Sequence, residues 1–318
     1  MMARTKIELT DETWNPVHGC TKISSGCRNC YAERMSRRLA GRYGYPPTPD
    51  NFKVTLRHDR LVEPLKWRKP RMVFVCSMGD LFHRNVDDDF LNMVFGVMLM
   101  GGQHTFQVLT KRPHRVLDFL TTNFRRRKVW ESMRGLFFRL SGTCGRPMNY
   151  GDVIWPLPNV WLGVTAENQQ TADERIPLLL QTPAAVRFVS CEPLLGPISL
   201  QEYIGASSYD WWSESGPVYP GEQPLDWTIV GGETGPGARP THPDWFRSLR
   251  DQCQAAGMSY FHKQNGEWQG ADQSNDTLKP STPEHVFEDG TICFRVGKKR
   301  AGHLLDGREW REMPEVKK

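Results

Sequence analysis

The sequence predicts an α/β fold. It is a partial or nearly complete (β/α) barrel of about six or seven parallel strands, TIM-barrel-like, with insertions and a small C-terminal β-hairpin extension. Three observations predict it. Short apolar, β-branched runs alternate with helical patterns, as in βα units. The chain of 318 residues has the length of two small domains or of one barrel-sized one. Charged and glycine-bearing motifs recur just after the apolar runs, where barrels carry their chemistry.

The first unit is a short strand near 5–9 or 13–18, a cysteine-bearing loop, and a helical pattern over Arg28–Gly41. Met72–Ser77 reads as a buried strand, followed by a helix that starts near Asp87. Thr105–Thr110 is the next strand, with Pro113 opening its helix, where a missing N–H is tolerated. Val160–Thr165 precedes a helix over roughly 168–180, and Val186–Ser190 and Trp227–Val230 are further strands. A helix from Pro243 to Ala256 stops at Gly257, a usual C-terminal stop, and Ser259–Lys263 is the last strand. Two segments interrupt the rhythm, about 124–158 and about 202–225, and both are long for plain connections. Residues 1–270 are expected to form the barrel domain. Residues 271–318 are expected to form an extension in which Thr291–Val296 pairs with His303–Leu305.

The net charge of +5 permits an anionic partner without demanding one. Residues 1–10 lack an apolar core of signal-peptide length. The most apolar stretch, Phe90–Met100, falls well short of the roughly 20 residues that span a bilayer. Its apolar positions 90, 91, 94, 95, 98 and 99 fit one face of a buried helix. These features place the protein in the cytoplasm, with no membrane partner.

Eight cysteines in a chain of this length point to metal binding ahead of disulfides. Cys20, Cys27 and Cys30 lie in one loop, spaced C-x6-C-x2-C. Three thiolates suit a [4Fe–4S] cluster with one open iron, a position that S-adenosylmethionine can occupy. The rival is a closed zinc site that adds His18 to the three cysteines. Cys76 and Cys191 fall in or beside buried strands and read as small core residues. Cys144, Cys253 and Cys293 show no partner spacing.

The cysteine spacing, closed by Tyr31, resembles the cluster loop of radical S-adenosylmethionine enzymes, with three residues inserted. More widely, the chain looks like the phage-associated three-cysteine-motif proteins, a radical-SAM-like family. The likeness rests on Thr13–Cys20, Cys30–Met35, Ser77–Phe82, Leu109–Pro113, Cys191–Leu194 and Val230–Gly235. It implies reductive cleavage of S-adenosylmethionine to a 5′-deoxyadenosyl radical, fed by a reductant protein such as a flavodoxin or ferredoxin. It also implies that Ser77, Gly79 and Asp80 hold the methionine amino group; otherwise this stretch is a turn before the next helix. Gly231, Gly232 and Glu233 either contact the adenosine half or form a tight turn. Lys111, Arg112, Glu167, Glu192 and Lys263 follow strands and either face the ligand, Glu192 through ribose hydroxyls, or pair with one another. Arg125–Lys128 beside Trp130 can track a phosphate backbone, and Trp155, Trp211 and Trp212 can stack on bases. A nucleic acid or nucleotide is therefore the expected substrate. The alternatives are a zinc-stabilised nucleic-acid-binding or interaction protein without catalysis, and a non-radical enzyme that uses S-adenosylmethionine or a nucleotide.

Overall fold

The computed structural model describes residues 5, 7–141, 148–204, 212–213, 216–217, 225–273 and 279–315. Seven strands form one parallel sheet, the partial (β/α) barrel that the alternation predicts. They are β1 (Glu12–Trp14), β2 (Met72–Val75), β3 (Thr105–Thr110), β4 (Val160–Thr165), β5 (Val186–Cys191), β6 (Trp227–Gly231) and β7 (Ser259–Gln264). Their order in the sheet is their order in the chain. Right-handed βα crossovers produce this arrangement when each strand is laid beside the last. β4 and β5 are buried along their whole length, as expected of strands covered on both faces.

The helices begin where their sequences place them. In α2 (Asp88–Met100), the carboxylate of Asp87 accepts the Phe90 N–H at 2.7 Å, and Asp88 and Asp89 fill the first turn. Pro113 opens α3 (Pro113–Thr121), and Pro243 opens α6 (Pro243–Ala255) behind a His242 cap. Gly257, at φ +65°, lets the chain turn left-handed after α6. α1 (Tyr31–Leu39) follows the cysteine loop, and α5 (Gln169–Leu180) follows β4.

The chain divides into two compact units. The first comprises residues 1–22, 31–163 and 181–185, and the second 23–30, 164–180 and 186–318. In the first, Phe82, Phe95 and Phe119 pack with ring centroids 5.3–6.4 Å apart, and all three are at most 2% exposed. Each such ring contributes roughly 1.5–3 kcal/mol on burial. The second has its own core around Phe188, Trp227, Tyr260 and Phe261.

Two expectations are corrected. β2 ends at Val75 and not Ser77, because Cys76 adopts φ +60° and breaks the extended backbone. The stretch expected to pair with 303–305 is instead the central strand of a three-stranded antiparallel sheet. In it β10 (Ile292–Arg295) lies between β8 (Trp268–Gly270) and β9 (Glu284–Val286), while Leu305 bridges Arg308. The first long interruption holds the 17-residue helix α4 (Arg125–Ser141). Of the second interruption, the structure describes one small antiparallel ribbon, 212–213 against 216–217.

α4 lies against α2 in the first unit. Val129, Met133 and Leu136 are buried, and so is Arg125 on the same face. The helices meet at Gly96, where a Cβ would come within 3.0 Å of the Met133 amide nitrogen. No helix among the described residues is long and apolar enough to cross a membrane.

Candidate functional site

In the first unit, the end of β2 is bound to the segment before the first cysteine. Asn15 Oδ1 accepts the Met78 N–H at 2.9 Å and the Ser77 hydroxyl at 3.2 Å. Gly79 bridges Gly19, and a Cβ on Gly79 would lie 2.8 Å from the Gly19 carbonyl oxygen, so only glycine permits this approach. Asp80, 7% exposed, accepts the Thr110 hydroxyl at 2.7 Å, the Phe82 N–H at 3.0 Å and the Lys111 N–H at 3.3 Å. Its carboxylate thereby joins the ends of β2 and β3.

Arg112 reaches the cysteine loop. It donates to the Thr21 carbonyl and hydroxyl oxygens, both at 3.0 Å, and lies 3.7 Å from Cys20 Sγ. His83 is 1% exposed, and its Nδ1 accepts the Asn85 N–H, so Nε2 carries the proton and donates to Thr21 Oγ1 at 2.9 Å. Burial, and then the Arg112 charge, hold the His83 pKa below its ordinary value. Tyr31, which opens α1, is 57% exposed.

The second unit holds residues 23–30 with carboxylates. Ser24 donates to Glu167 Oε1 at 2.7 Å, and Glu167, fully buried, pairs with Arg175 at 3.0 Å. A Cβ on Gly26 would lie 2.3 Å from the same Glu167 oxygen, so a larger residue there would have to displace the Glu167 side chain. Asn29 donates to Glu233 at 3.0 Å and to the Gly237 carbonyl at 2.8 Å. Arg239 clasps both Glu233 oxygens at 2.8 and 2.6 Å and donates to the Ser25 carbonyl at 3.0 Å. Burial raises the Glu233 pKa, but the Arg239 and Asn29 hydrogen bonds outweigh it and leave the carboxyl below its ordinary range. Glu192 is bound by Lys263 at 2.8 Å and Gln264 at 3.2 Å. A Cβ on Gly231 would meet Glu192 and Gln264 at 3.3 Å, and one on Gly232 would meet the Asn265 carbonyl at 2.2 Å.

Of the five charged residues expected to face a ligand or pair with one another, Glu192 pairs with Lys263, while Glu167 pairs with Arg175; Glu233 pairs with Arg239. The metal expectation is overturned. Among the described residues, no group of three or more His, Cys, Asp or Glu side chains is placed to hold a metal ion. Cys20 belongs to the first unit and Cys27 and Cys30 to the second. Cys20 lies beside Arg112, and Cys27 Sγ lies 3.7 Å from the Ser24 hydroxyl. Spacing along a loop does not determine where its side chains point, and here internal hydrogen bonds pin the loop backbone. The residues therefore do not fit a [4Fe–4S] cluster. S-adenosylmethionine at an open iron and radical cleavage fall with it, as does the enzyme assignment that rested on them. The zinc alternative fails on the same finding. His18 is 1% exposed, stacked on Tyr45 at 4.2 Å, with Nδ1 3.4 Å from Arg57.

The remaining cysteines behave as core residues. Cys76, Cys191, Cys253 and Cys293 are buried and free, and burial pushes their thiols up, to about 12 for Cys253 and Cys293. Cys144 and Trp211 lie outside the described residues, as does the side chain of Trp212. The basic run at 125–128 opens α4. Arg125 is 2% exposed and committed inside the unit: it donates to the Phe119 carbonyl at 2.6 Å, Asn92 at 2.9 Å and Asp88 at 2.7 Å. Arg126 and Arg134 sit on the outer side of the same helix, over the rings of Tyr150 and Trp130.

Asn15, Thr21, Ser24, Asn29, Arg175 and Arg239 were not singled out from the sequence, because single polar residues in loops carry no pattern. Arg134 and Phe138 were legible in principle, since they repeat at four-residue intervals from Arg126 and Trp130.

Fold and site together define a parallel α/β protein whose strand-end charges are paired internally and whose inserted helix presents a basic surface. The chain belongs to the family described as "Protein of unknown function (DUF5131)", matched over residues 4–314. This replaces the radical-SAM-like, three-cysteine-motif family that the motifs resemble. No curated protein and no solved structure matches the chain.

Proposed function

We propose that this is a cytoplasmic nucleic-acid-binding protein that engages its partner through the outer face of α4. The observation that carries the reading is the charge of that helix. Besides the buried Arg125, it carries Arg126, Arg127, Lys128, Arg134 and Arg139 against the single acid Glu131. Arg127 pairs with Glu131 at 2.9 Å, with both side chains at least half exposed, so this pair is weak and readily exchanged for a phosphate. The packing of α4 on α2, and the Arg125 anchor beneath it, turn the other basic residues of the helix outward. The rest of the unit is itself net basic, and the overall balance of +5 agrees in sign.

The test is fluorescence anisotropy of the full chain with a labelled 20-mer oligonucleotide across a salt series. Phosphate contacts release counterions, so log K should fall linearly with log salt, by roughly 0.7–0.9 per phosphate neutralised. The paired reversal Arg127→Glu/Lys128→Glu should weaken binding and flatten that slope. Absence of binding at low salt, or a slope untouched by the reversal, would overturn the reading.

A further inference from the structure

We infer that the α4 surface is a stacking ladder for single-stranded nucleic acid, built from Arg126, Trp130, Arg134 and Phe138 with Tyr150 leaning on it. This rests on the nucleic-acid reading and specifies its ligand. The four helical residues are spaced i, i+4, i+8 and i+12, so they form one ridge that alternates guanidinium and aromatic plane. The side chains of the ridge already touch one another. Arg126 lies 4.8 Å over the Tyr150 ring, and Tyr150 meets Trp130 edge to face at 5.6 Å. Arg134 lies 4.7 Å over Trp130 and 5.9 Å over Phe138. The Trp130 N–H donates to the Met148 carbonyl at 2.8 Å, which fixes the indole plane.

A ladder of this kind is more than surface decoration, because its ends are open. Phe138 and Tyr150 are 47% and 40% exposed, and Phe124, at the start of the helix, is 75% exposed. Large rings are usually covered on a monomer surface, and a rimmed exposed set marks a contact site. Arg126, with its guanidinium over the Tyr150 ring, offers its other face to a further plane, and Arg planes accept bases as aromatic rings do. Four residues of helix rise about 6 Å. That is nearly twice the roughly 3.4 Å between stacked nucleotides of one strand in a duplex. The ridge therefore suits bases that have been drawn apart. The faces of duplex bases are occupied by their neighbours, so a duplex can use only the charges. The chemistry thus selects an unpaired strand, whose phosphates run along Arg127, Lys128 and Arg139 while its bases lie on the ridge.

The experiment compares labelled dT20 with a 20-base-pair duplex, using the full chain and two kinds of variant. Trp130→Ala and Phe138→Ala remove planes and keep charge. Arg127→Ala/Lys128→Ala removes charge and keeps planes. Loss of one stacking plane should weaken dT20 binding about 5- to 150-fold, leave the salt slope unchanged, and leave duplex binding unchanged. The charge variant should weaken both ligands alike. Trp130→Phe, which keeps a plane without the N–H, should retain most of the affinity and separates stacking from loss of fold. Equal affinity for dT20 and duplex, with plane variants within twofold of wild type, would overturn the ladder while leaving nucleic-acid binding standing. Binding of neither oligonucleotide would overturn both. Binding to phosphatidylserine vesicles in place of either would assign the surface to a membrane and overturn the inference.

Discussion

Arg125→Ala separates a structural role from a ligand-binding role at one position. The side chain is 2% exposed and donates to the Phe119 carbonyl, Asn92 Oδ1 and Asp88, with its guanidinium 3.8 Å over the Phe119 ring. Truncation leaves a carbonyl and an amide oxygen without their donor inside the unit, about 1–3 kcal/mol each. It also removes a desolvated cation–π contact of about 2 kcal/mol. Asp88 loses little, since its side chain is 43% exposed and it keeps Arg115. Relaxation around the site lowers the sum, so the expected loss is about 4 kcal/mol, within the range for breaking a buried pair. At a urea dependence of about 2 kcal/mol per molar, the unfolding midpoint should fall by about 2 M. Arg125→Lys, which keeps the charge and loses the fork, should fall by roughly half as much. Urea unfolding followed by far-UV circular dichroism, beside oligonucleotide anisotropy, measures both quantities. A midpoint within about 0.3 M of wild type (an error-sized shift), together with weakened oligonucleotide binding, would refute the packing account and return Arg125 to the surface.

Gly96→Val should lower stability by about 1–3 kcal/mol and loosen α4, because its Cβ would press on the Met133 backbone, an atom that cannot rotate away; a neutral result in urea would contradict the close approach. Burial pushes His262 down to about 4, so the unfolded chain, with a value near 6.5, binds the extra proton first. Its contribution is complete above about pH 6.5 and declines towards pH 4 by about 3 kcal/mol, and the urea midpoint of His262→Gln should vary less across that window. The Glu233 carboxyl lies below its ordinary range, so its contribution is present above the unfolded carboxylate value of about 4.3 and is lost as pH falls further. Glu233→Gln should remove it and release Asn29 and the Ser25 carbonyl, read as faster alkylation of Cys27 and Cys30. In the native protein at pH 8, iodoacetamide should label Cys20, Cys27 and Cys30 and spare Cys76, Cys191, Cys253 and Cys293, which are buried with raised thiols; peptide mass spectrometry counts the adducts, and label on Cys191 in folded protein would contradict its burial.

The local elements were legible because local physics writes them. β3 and β4 run over the residues that their apolar, β-branched stretches mark, and Asp87, Pro113 and Gly257 stand at helix ends for capping and backbone reasons that need no partner. The pairing of β10 was misread, because antiparallel partners are chosen by register across a sheet, and 303–305 was only the nearest apolar stretch in sequence. The cysteine loop shows the same limit more sharply. C-x6-C-x2-C is a statement about a chain, whereas a cluster is a statement about where sulfur atoms converge. The path of residues 24–29 is held by Glu167, Glu233 and Arg239, each more than 130 residues further along.

By itself the sequence determined the α/β class, the succession of parallel strands and the caps that start and stop their helices. Each of these depends on hydrophobic period and backbone preference within about a dozen residues. Only the tertiary structure decided which charges are matched. Arg125 and Arg126 are adjacent and identical in type, yet one is buried on Asp88 and the other lies over Tyr150 at the surface. A helix turns by about 100° per residue, so neighbours in the chain face different surroundings, and the surroundings come from the fold.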